Sequence, residues 1–480
     1  MRWEDLKERF LDFAHQFKRE KEGIVGLGII IMFVAIAILA PILAPPPSSD
    51  INWWHKSTNW DENPRGVPPA WIEFFTGKKM ARHLILTPTP TEKAIGNLKI
   101  IAFKVEYNFD YDAPPTEIII KTLIKIPPDI NITYFPFLVV KVTRPDKRLD
   151  STEIYRCEIT LNSPKYIPLA QQQEVKSFFL FFARDCDPLA TNLTINDMTS
   201  ERVMYIMFSK AQEGMSDPTQ AEPLKGIYTF EIIIYTPKES SLEYFKIIFA
   251  GRVYGLLGTD ADGKDLFLGL VWGTWVALVI GLLTSVISSL IGLLYGVTSA
   301  YLGGKWDEVL QRINDFFYTL PVFPILLLLA AVWKPSIWNV IFLLAVFSWP
   351  GMAKVVRSMA LQIKEQPFVE AAKASGASGG RIIVRHIAPQ IMPYVFASIA
   401  LGVPAAILTE AGLSFLGLGD PSLVTWGKIL HEANAAAATI RGMWWWVIPP
   451  GLAIALMGLA FAFIGVAVDR ILNPKMREIA

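Results

Sequence analysis

The chain has 480 residues, of which 52% are hydrophobic and 19% charged, and its mean hydropathy is +0.36. That is too apolar for a soluble protein of ordinary charge. A formal net charge of +1 leaves no electrostatic footprint for nucleic acid, which is excluded as a partner.

Residues 1–22 carry Trp3, Leu6, Phe10, Phe13 and Phe17 at spacings of three and four, with Arg2, Lys7, Arg9, Lys18, Arg19 and Lys21 interleaved with acids. This pattern predicts an amphipathic helix, lying on the cytoplasmic membrane surface or packed on a neighbouring subunit. The uncharged run Ile24–Ala44 is about 21 residues, enough to cross a bilayer core, and sets a first span over 23–45. A secretory signal fits less well, because about 22 residues precede the run and no small-residue cleavage site is clear.

Residues 46–257 change grammar. The segments 100–107, 116–121, 137–142 and 228–235 are β-branched and aromatic, with Pro, Asp and Asn clustered between them. They predict an antiparallel, sandwich-like β-rich domain inserted between the first and second spans. Trp53, Trp54, Trp60 and Trp71 near its start suit either stacking on sugar rings or anchoring at a membrane interface, the second being the commoner use. Residues 258–480 hold five more apolar spans, at about 268–297, 316–333, 337–356, 391–414 and 446–467. Trp444, Trp445 and Trp446 form an aromatic belt at the last of them, and Pro449 and Pro450 either kink that helix or occupy its first turn, the second being preferred.

Six crossings return both termini to one side. Lys364, Lys373, Arg381 and Arg385 lie between the fourth and fifth spans, flanked by Lys354 and Arg357, while Arg470, Lys475 and Arg477 fill the tail. This bias predicts cytoplasmic termini, a multi-pass protein of the cell membrane, and an insert outside. Both cysteines, Cys157 and Cys186, fall in the insert and read as a disulfide, with two buried free thiols as the alternative. Asn131 and Asn192 begin glycosylation sequons in the same domain.

The basic loop 363–389 is the most informative stretch. Pro367 suits the first turn of a helix and Gly376 the left-handed residue that ends one. Ala371, Ala372 and Ala374 between them are small enough for close approach by a partner. Ser378 reads as the N-cap of a second helix, running through Arg381 until Pro389 stops it. The expectation is a helix–turn–helix knuckle. Glu410, near the outer end of the fifth span, either lines the transport path or hydrogen-bonds the glycine-rich turn at 417–419 or outer-leaflet water, the structural role being favoured.

Glu370-Ala371-Ala372, Gly376 and His386-Ile387-Ala388-Pro389 resemble the EAA loop of ABC importer permeases, in the His-Ile-x-Pro form of the dipeptide/oligopeptide class. Residues 257–265 resemble that family's L-G-T-D-x-x-G-R-D, with Lys264 in place of Arg. Residues 301–308 with Arg312 and Asp315, residues 410–419, and Trp426-Gly427 resemble further family segments in order. The resemblance is to the C-type permease and covers nearly all of the membrane part; the insert departs from it. It implies an α-helical membrane protein with the six-helix fold of a type I importer permease. It also implies a B-type permease partner, two P-loop ATPase subunits docked at the EAA loop, an extracytoplasmic substrate-binding protein and surrounding lipid. The implied cargo is di- or oligopeptides, with oligosaccharides as the alternative. A membrane-anchored sensor or adhesion protein is the rival from another class.

No G-x-x-x-x-G-K-[ST] occurs, so ATP and Mg are expected in the partners and no cofactor in this chain. Two cysteines and five histidines give no metal-ligand cluster, and no nucleophile elbow or other catalytic signature appears. A transport subunit, not an enzyme, is the reading.

Overall fold

The computed structural model describes residues 15–50, 52–127, 135–334 and 336–472. It forms two compact units, Met1–His55 with Phe267–Ala480, and Lys56–Leu266. The first apolar helix, α1 (Lys21–Leu43), has 23 residues, and Ile31, Ile38 and Ile42 are exposed along it, as a lipid-facing surface requires. The part of the amphipathic segment before residue 15 lies outside the described residues.

The Lys56–Leu266 unit begins with a short helix, α2 (Ile72–Thr76), and continues through β1 (Leu84–Leu86), β2 (Thr91–Ile95), β3 (Leu98–Phe109), β4 (Glu117–Lys125), β5 (Phe137–Thr143), β6 (Thr152–Glu158) and β7 (Lys165–Pro168). Two helices follow, α3 (Gln173–Cys186) and α4 (Ser200–Phe208), and then β8 (Gly226–Pro237) and β9 (Ser241–Ala250). The strands make two antiparallel sheets, ordered β1-β9-β4-β7 and β2-β3-β8-β5-β6. Strand alternation explains how they close. Along β3, Ile101, Phe103, Val105, Tyr107 and Phe109 are buried while Lys104, Glu106 and Asn108 face out. Phe103 and Tyr107, four residues apart on one face, stack on Phe245 and Phe249 of β9 at 3.8 and 4.0 Å between centroids. Each such pair contributes about 0.5–1.5 kcal/mol beyond the area it buries.

The helices were not expected from the strand-rich composition. Val175, Phe179 and Ala183 of α3 and Val203, Met204 and Met207 of α4 complete the same core. Arg144 is fully buried after β5 because its guanidinium is well partnered: it donates to the carbonyls of Ile206 and Ser209 and to Asp146. At the root of the unit its entering and leaving strands zip together. Gly66 N–H donates to the Asp260 carbonyl at 2.7 Å, Thr259 N–H to Val67, Tyr254 N–H to Pro68 and Ala70 N–H to Gly255.

Two expectations about this region need correction. Trp53, Trp54 and Trp60 are buried and cannot anchor at an interface or stack on a ligand; Trp71 is the exposed one. Cys157 and Cys186 are unbonded, half-buried thiols. Cys157, on β6, hydrogen-bonds the Tyr155 side chain, whereas Cys186 ends α3 and accepts from Arg148 at 3.3 Å. Each sulfur has its own polar partner on a different element. Asn192 is exposed, and Asn131 lies outside the described residues.

The remaining helices are α5 (Leu266–Leu302), α6 (Gly304–Thr319), α7 (Val322–Val332), α8 (Ile337–Ser348), α9 (Pro350–Lys364), α10 (Pro367–Ala374), α11 (Gly379–Ile382), α12 (Ala388–Phe415), α13 (Trp426–Ala435) and α14 (Trp444–Leu472). Among the described residues, four helical segments are long and apolar enough to cross a membrane, or up to six if the bent pairs α6–α7 and α8–α9 each count as one. The expected span 316–333 is broken. Leu320 precedes Pro321 and takes ψ 138°, as a pre-proline residue prefers, and the helix turns by 79° there. Pro449 and Pro450 lie inside α14, past its first turn. The core of this unit gathers Phe33 of α1, Val403 and Ile407 of α12, Trp426 of α13 and Ile454 and Met457 of α14.

Alkylation of the denatured, unreduced chain should add two labels, one per thiol; a mass showing none would restore the disulfide. Burial pushes the Glu117 carboxyl, at the start of β4, up to about 7, against the hydrogen bonds it accepts from the N–H groups of Ala170 and Ile118. A raised carboxyl favours the folded state while it is protonated, so stability falls as pH rises from about 4.5 through 7, by roughly 3 kcal/mol over the whole range. Glu117→Gln should flatten the melting temperature of the full chain between pH 5 and 8.

Candidate functional site

Helix α10 starts where the sequence says it should. Gln366 is extended, Pro367 occupies the first turn, and Glu370 carries its charge at the positive end of the helix. At the far end Gly376 has φ +78°; its N–H bonds the Lys373 carbonyl and the N–H of Ala377 bonds that of Ala372, the paired contacts of a Schellman turn. Nothing lies within 4 Å of where a Cβ would be built at Gly376, so the left-handed backbone alone selects glycine.

One side of the knuckle is anchored. Val369, Ile382 and Ile387 are fully buried among Leu293, Val297 and Ala300 of α5 and Val356 and Ala360 of α9. The other side is exposed: Phe368, Glu370, Ala371, Lys373, Ala374, Gly376 and Arg381 all face out, with Ala372 half-buried beneath them. The exposed face thus combines small residues with one acid and two bases.

Ser378 takes the N-cap backbone conformation without a side-chain cap bond. The second helix does not stop at Pro389. Ile383–Ile387 form a π-turn, in which Ala388 N–H reaches back to the Ile383 carbonyl, and Pro389 then falls in the first turn of α12. The wider turn relieves the clash and the missing donor that would end an α-helix at proline. Gly379–Phe415 is therefore one 37-residue helical path.

Three elements behind the knuckle are tied by charge. Arg357 of α9 forks onto Asp307 of α6, with Nε 2.7 Å from Oδ1, and the Ser299 hydroxyl of α5 donates to the same carboxylate. Lys364 donates to the Ala300 carbonyl at 3.1 Å. This cluster was not foreseen. Its sequence trace is the pairing of an Asp just after one span with an Arg on the polar face of the helix that enters the loop.

Between α5, α8–α9 and α12 lies a cavity of about 210 Å³. Thr284, Ser285, Ser288 and Ser289 line it from α5, and Ser398 and Thr409 from α12. No charged residue lines it. Ser285 donates to the Ile399 carbonyl and Thr409 to Ala405, but the buried Thr284 hydroxyl has no protein partner. The signal available in sequence was two hydroxyl pairs, four residues apart, in an otherwise aliphatic span.

Glu410 is 5% exposed and belongs to a separate arrangement. The Ser414 hydroxyl donates to its Oε1 at 2.6 Å, and it also hydrogen-bonds the Thr425 side chain, which caps α13 by accepting from Lys428 N–H. The N–H groups of Gly417 and Leu418 bond the Ser414 and Leu413 carbonyls instead, so the glycine-rich turn satisfies itself. Gly427 closes the arrangement: a Cβ there would sit 2.5 Å from the Ala411 carbonyl oxygen and 2.9 Å from Ser414 Cβ. Among the described residues no group of His, Cys, Asp and Glu could hold a metal ion.

Ser414→Ala leaves a buried carboxyl short of a donor and should lower folding stability by about 1–3 kcal/mol. Gly427→Ala should do at least as much by overpacking. Melting of the solubilised chain checks both, and wild-type melting in either variant would remove this arrangement from the account of stability.

The chain is similar to known proteins over its membrane part. Residues 288–478 match the family described as "Binding-protein-dependent transport system inner membrane component", and residues 9–63 match "N-terminal TM domain of oligopeptide transport permease C". The dipeptide transport system permease protein DppC of Bacillus subtilis is 37% identical over 223 residues, 46% of this chain and 69% of that one. The oligopeptide transport system permease protein OppC of Haemophilus influenzae is 34% identical over 225 residues, covering 47% and 71%. A chain from inward-facing crystals of the MetNI methionine ABC transporter aligns over 44% of this chain and 97% of its own, at 18% identity and a TM-score of 0.36. The protein is thus an integral membrane transport permease, and the chain belongs to the binding-protein-dependent permease family, on its dipeptide and oligopeptide C-type branch.

Proposed function

We propose that the chain is one half of the translocation path of an ATP-driven importer for di- and oligopeptides. A B-type permease completes the path, two P-loop ATPase subunits bind and hydrolyse ATP with Mg, and an extracytoplasmic protein delivers substrate. On this reading each bent pair is one span, giving six crossings, with both termini and the 363–389 loop in the cytoplasm and the Lys56–Leu266 unit outside. The Lys and Arg residues around 354–385 support that orientation.

The observation that carries this reading is the knuckle: a short helix with an anchored apolar back and an exposed face of Glu370, Ala371, Lys373 and Ala374. Pushed by an ATPase, it would move with the helix that follows Ser378. That helix also forms a wall of the hydroxyl-lined cavity. Neutral hydroxyls donate and accept without selecting charge, which suits cargo whose side chains vary while its main chain does not. Peptide cargo is further supported by the names of the DppC and OppC relatives. Glu410, tied to Ser414 and Thr425, is assigned a structural role.

The test is co-purification of the tagged chain with its ATPases, wild type against Glu370→Arg with Ala374→Trp. Both positions are exposed, so the fold should survive. The variant should retain at least about tenfold less ATPase, a loss of 1.4 kcal/mol or more, with B-type permease binding unchanged. Equal ATPase recovery would show that docking lies elsewhere.

A further inference from the structure

A threonine inside an apolar helix usually satisfies its hydroxyl on its own backbone. Thr274 donates to the Leu270 carbonyl at 3.1 Å and Thr409 to the Ala405 carbonyl at 2.7 Å, each four residues back. Thr284 of α5 departs from that habit. It is 2% exposed, its hydroxyl has no protein partner, and it lines the cavity of about 210 Å³. Its neighbours are engaged: Ser285 donates across to the Ile399 carbonyl of α12 at 2.6 Å, and Ser288 donates to the Ser285 carbonyl at 3.2 Å. A buried hydroxyl without a partner works against folding, so Thr284 destabilises the protein where a valine would not.

The cavity has a floor and a mouth. Thr284, Ser285, Ser288 and Ser289 are buried at its floor, whereas Ser348 and Ala405 are exposed at its mouth. Ser398, Gly402, Ala405 and Thr409 recur at spacings of four, three and four and all line it, so one face of α12 shows it only small or hydroxyl-bearing side chains. The bulky exposed residues of that helix, Phe396, Leu401 and Leu408, lie off this face, as lipid-facing residues would. A small-residue strip ending over an unpartnered buried hydroxyl suits a polar guest.

The guest's chemistry follows from the lining. No charged residue is present, so an ion leaving water would find no countercharge there. A lipid chain or an apolar helix would leave Thr284 as unsatisfied as before. The volume equals the share of roughly seven waters, at about 30 Å³ each, so a guest enters with only a small part of itself. An uncharged peptide group meets all three conditions. It is compact and planar, and it offers one donor and one acceptor to a hydroxyl that can serve as either.

We propose that the Thr284 hydroxyl is a cargo contact, hydrogen-bonding one main-chain peptide group of the substrate as it lodges against Ser398, Ala405 and Thr409. The inference rests on the peptide-import reading and specifies which part of the cargo is held at this point: its main chain and not a side chain. Since every peptide carries that group, the contact holds cargo without choosing among sequences.

The test uses the complete importer in proteoliposomes, with wild-type chain or with Thr284→Val, which removes the hydroxyl and keeps the branched shape. Uptake is measured for radiolabelled trialanine and for its analogue with the central amide replaced by an ester, which lacks the N–H and has a weaker acceptor. The binding protein is common to both importers, so its own preference cancels when they are compared. Wild type should favour the amide. Thr284→Val should lower trialanine uptake about three- to tenfold, the worth of one hydrogen bond, and ester uptake less, so that the preference shrinks. The variant should melt at or above the wild-type temperature; a lower melting temperature would mean that the hydroxyl is already partnered within the protein, and the proposal falls. Unchanged uptake, or an equal loss for both compounds, overturns the contact while the peptide reading stands. If wild type takes up a cello-oligosaccharide and neither compound, the peptide reading itself fails and this inference with it.

Discussion

Hydrocarbon leaves a helix no water with which to repair a missing backbone bond, so any irregularity must be settled within the chain. The helix from Gly379 to Phe415 meets that constraint at Pro393 and Pro404, and it is also continuous through Pro389 ahead of the apolar stretch. The π-turn at Ile383–Ile387 lets it pass the first proline without breaking, and this continuity gives the other features their meaning. At about 1.5 Å per residue the rod is some 55 Å long. The knuckle sits at one end, the hydroxyl cavity along its middle and the Glu410 arrangement near the other. A displacement applied at Phe368–Ser375 has a stiff element to travel along, with Ile382 and Ile387 buried as its bearing against α5 and α9.

The far end of that rod is fixed by a different kind of chemistry. A carboxyl with 5% exposure is expensive unless its lone pairs are occupied, and Ser414 and Thr425 occupy them. Thr425 also caps α13, so one hydroxyl joins the end of the rod to the helix that follows. Trp426 extends the junction: its indole donates to the Leu270 carbonyl of α5 and its ring packs at 5.8 Å from Phe33 of α1. Four helices meet there through groups contributed by only a handful of residues. At the opposite end the Asp307–Arg357 fork plays the matching part, holding α6 to α9 behind the knuckle.

Local signals were legible and tertiary ones were not. Pro367 and Gly376 announced the boundaries of α10 because proline and glycine act through their own backbone. The alternation of Ile101, Phe103, Val105 and Tyr107 announced β3 for the same reason. Pro389 misled because its usual effect is cancelled five residues upstream by a turn whose carbonyl pattern has no residue signature. The bend at Leu320 was announced by Pro321, but hydropathy alone bridged it. Helix α3 was hidden inside strand-rich sequence, although Val175, Phe179 and Ala183 recur at helical spacing. The tryptophans near residue 53 were misjudged because burial depends on what packs against them. Trp54 and Trp60 have the composition of a belt and the exposure of a core. The hydroxyl cavity needed three elements to be brought together before any of its residues meant more than a polar interruption.

The zipper at the root of the Lys56–Leu266 unit bears on how such a protein came to be and how it could be dissected. Gly66 and Asp260 are joined by a 2.7 Å hydrogen bond although nearly two hundred positions separate them along the chain. A module whose ends meet can enter or leave a loop without forcing the flanking helices apart, because the gap it leaves is no wider than a turn. Excision between these two residues, with a short glycine–serine bridge, would remove the inserted module and leave the flanking permease helices joined. The two bodies could then be studied as separable inventions: one that moves cargo, and one that was threaded into it through a single doorway.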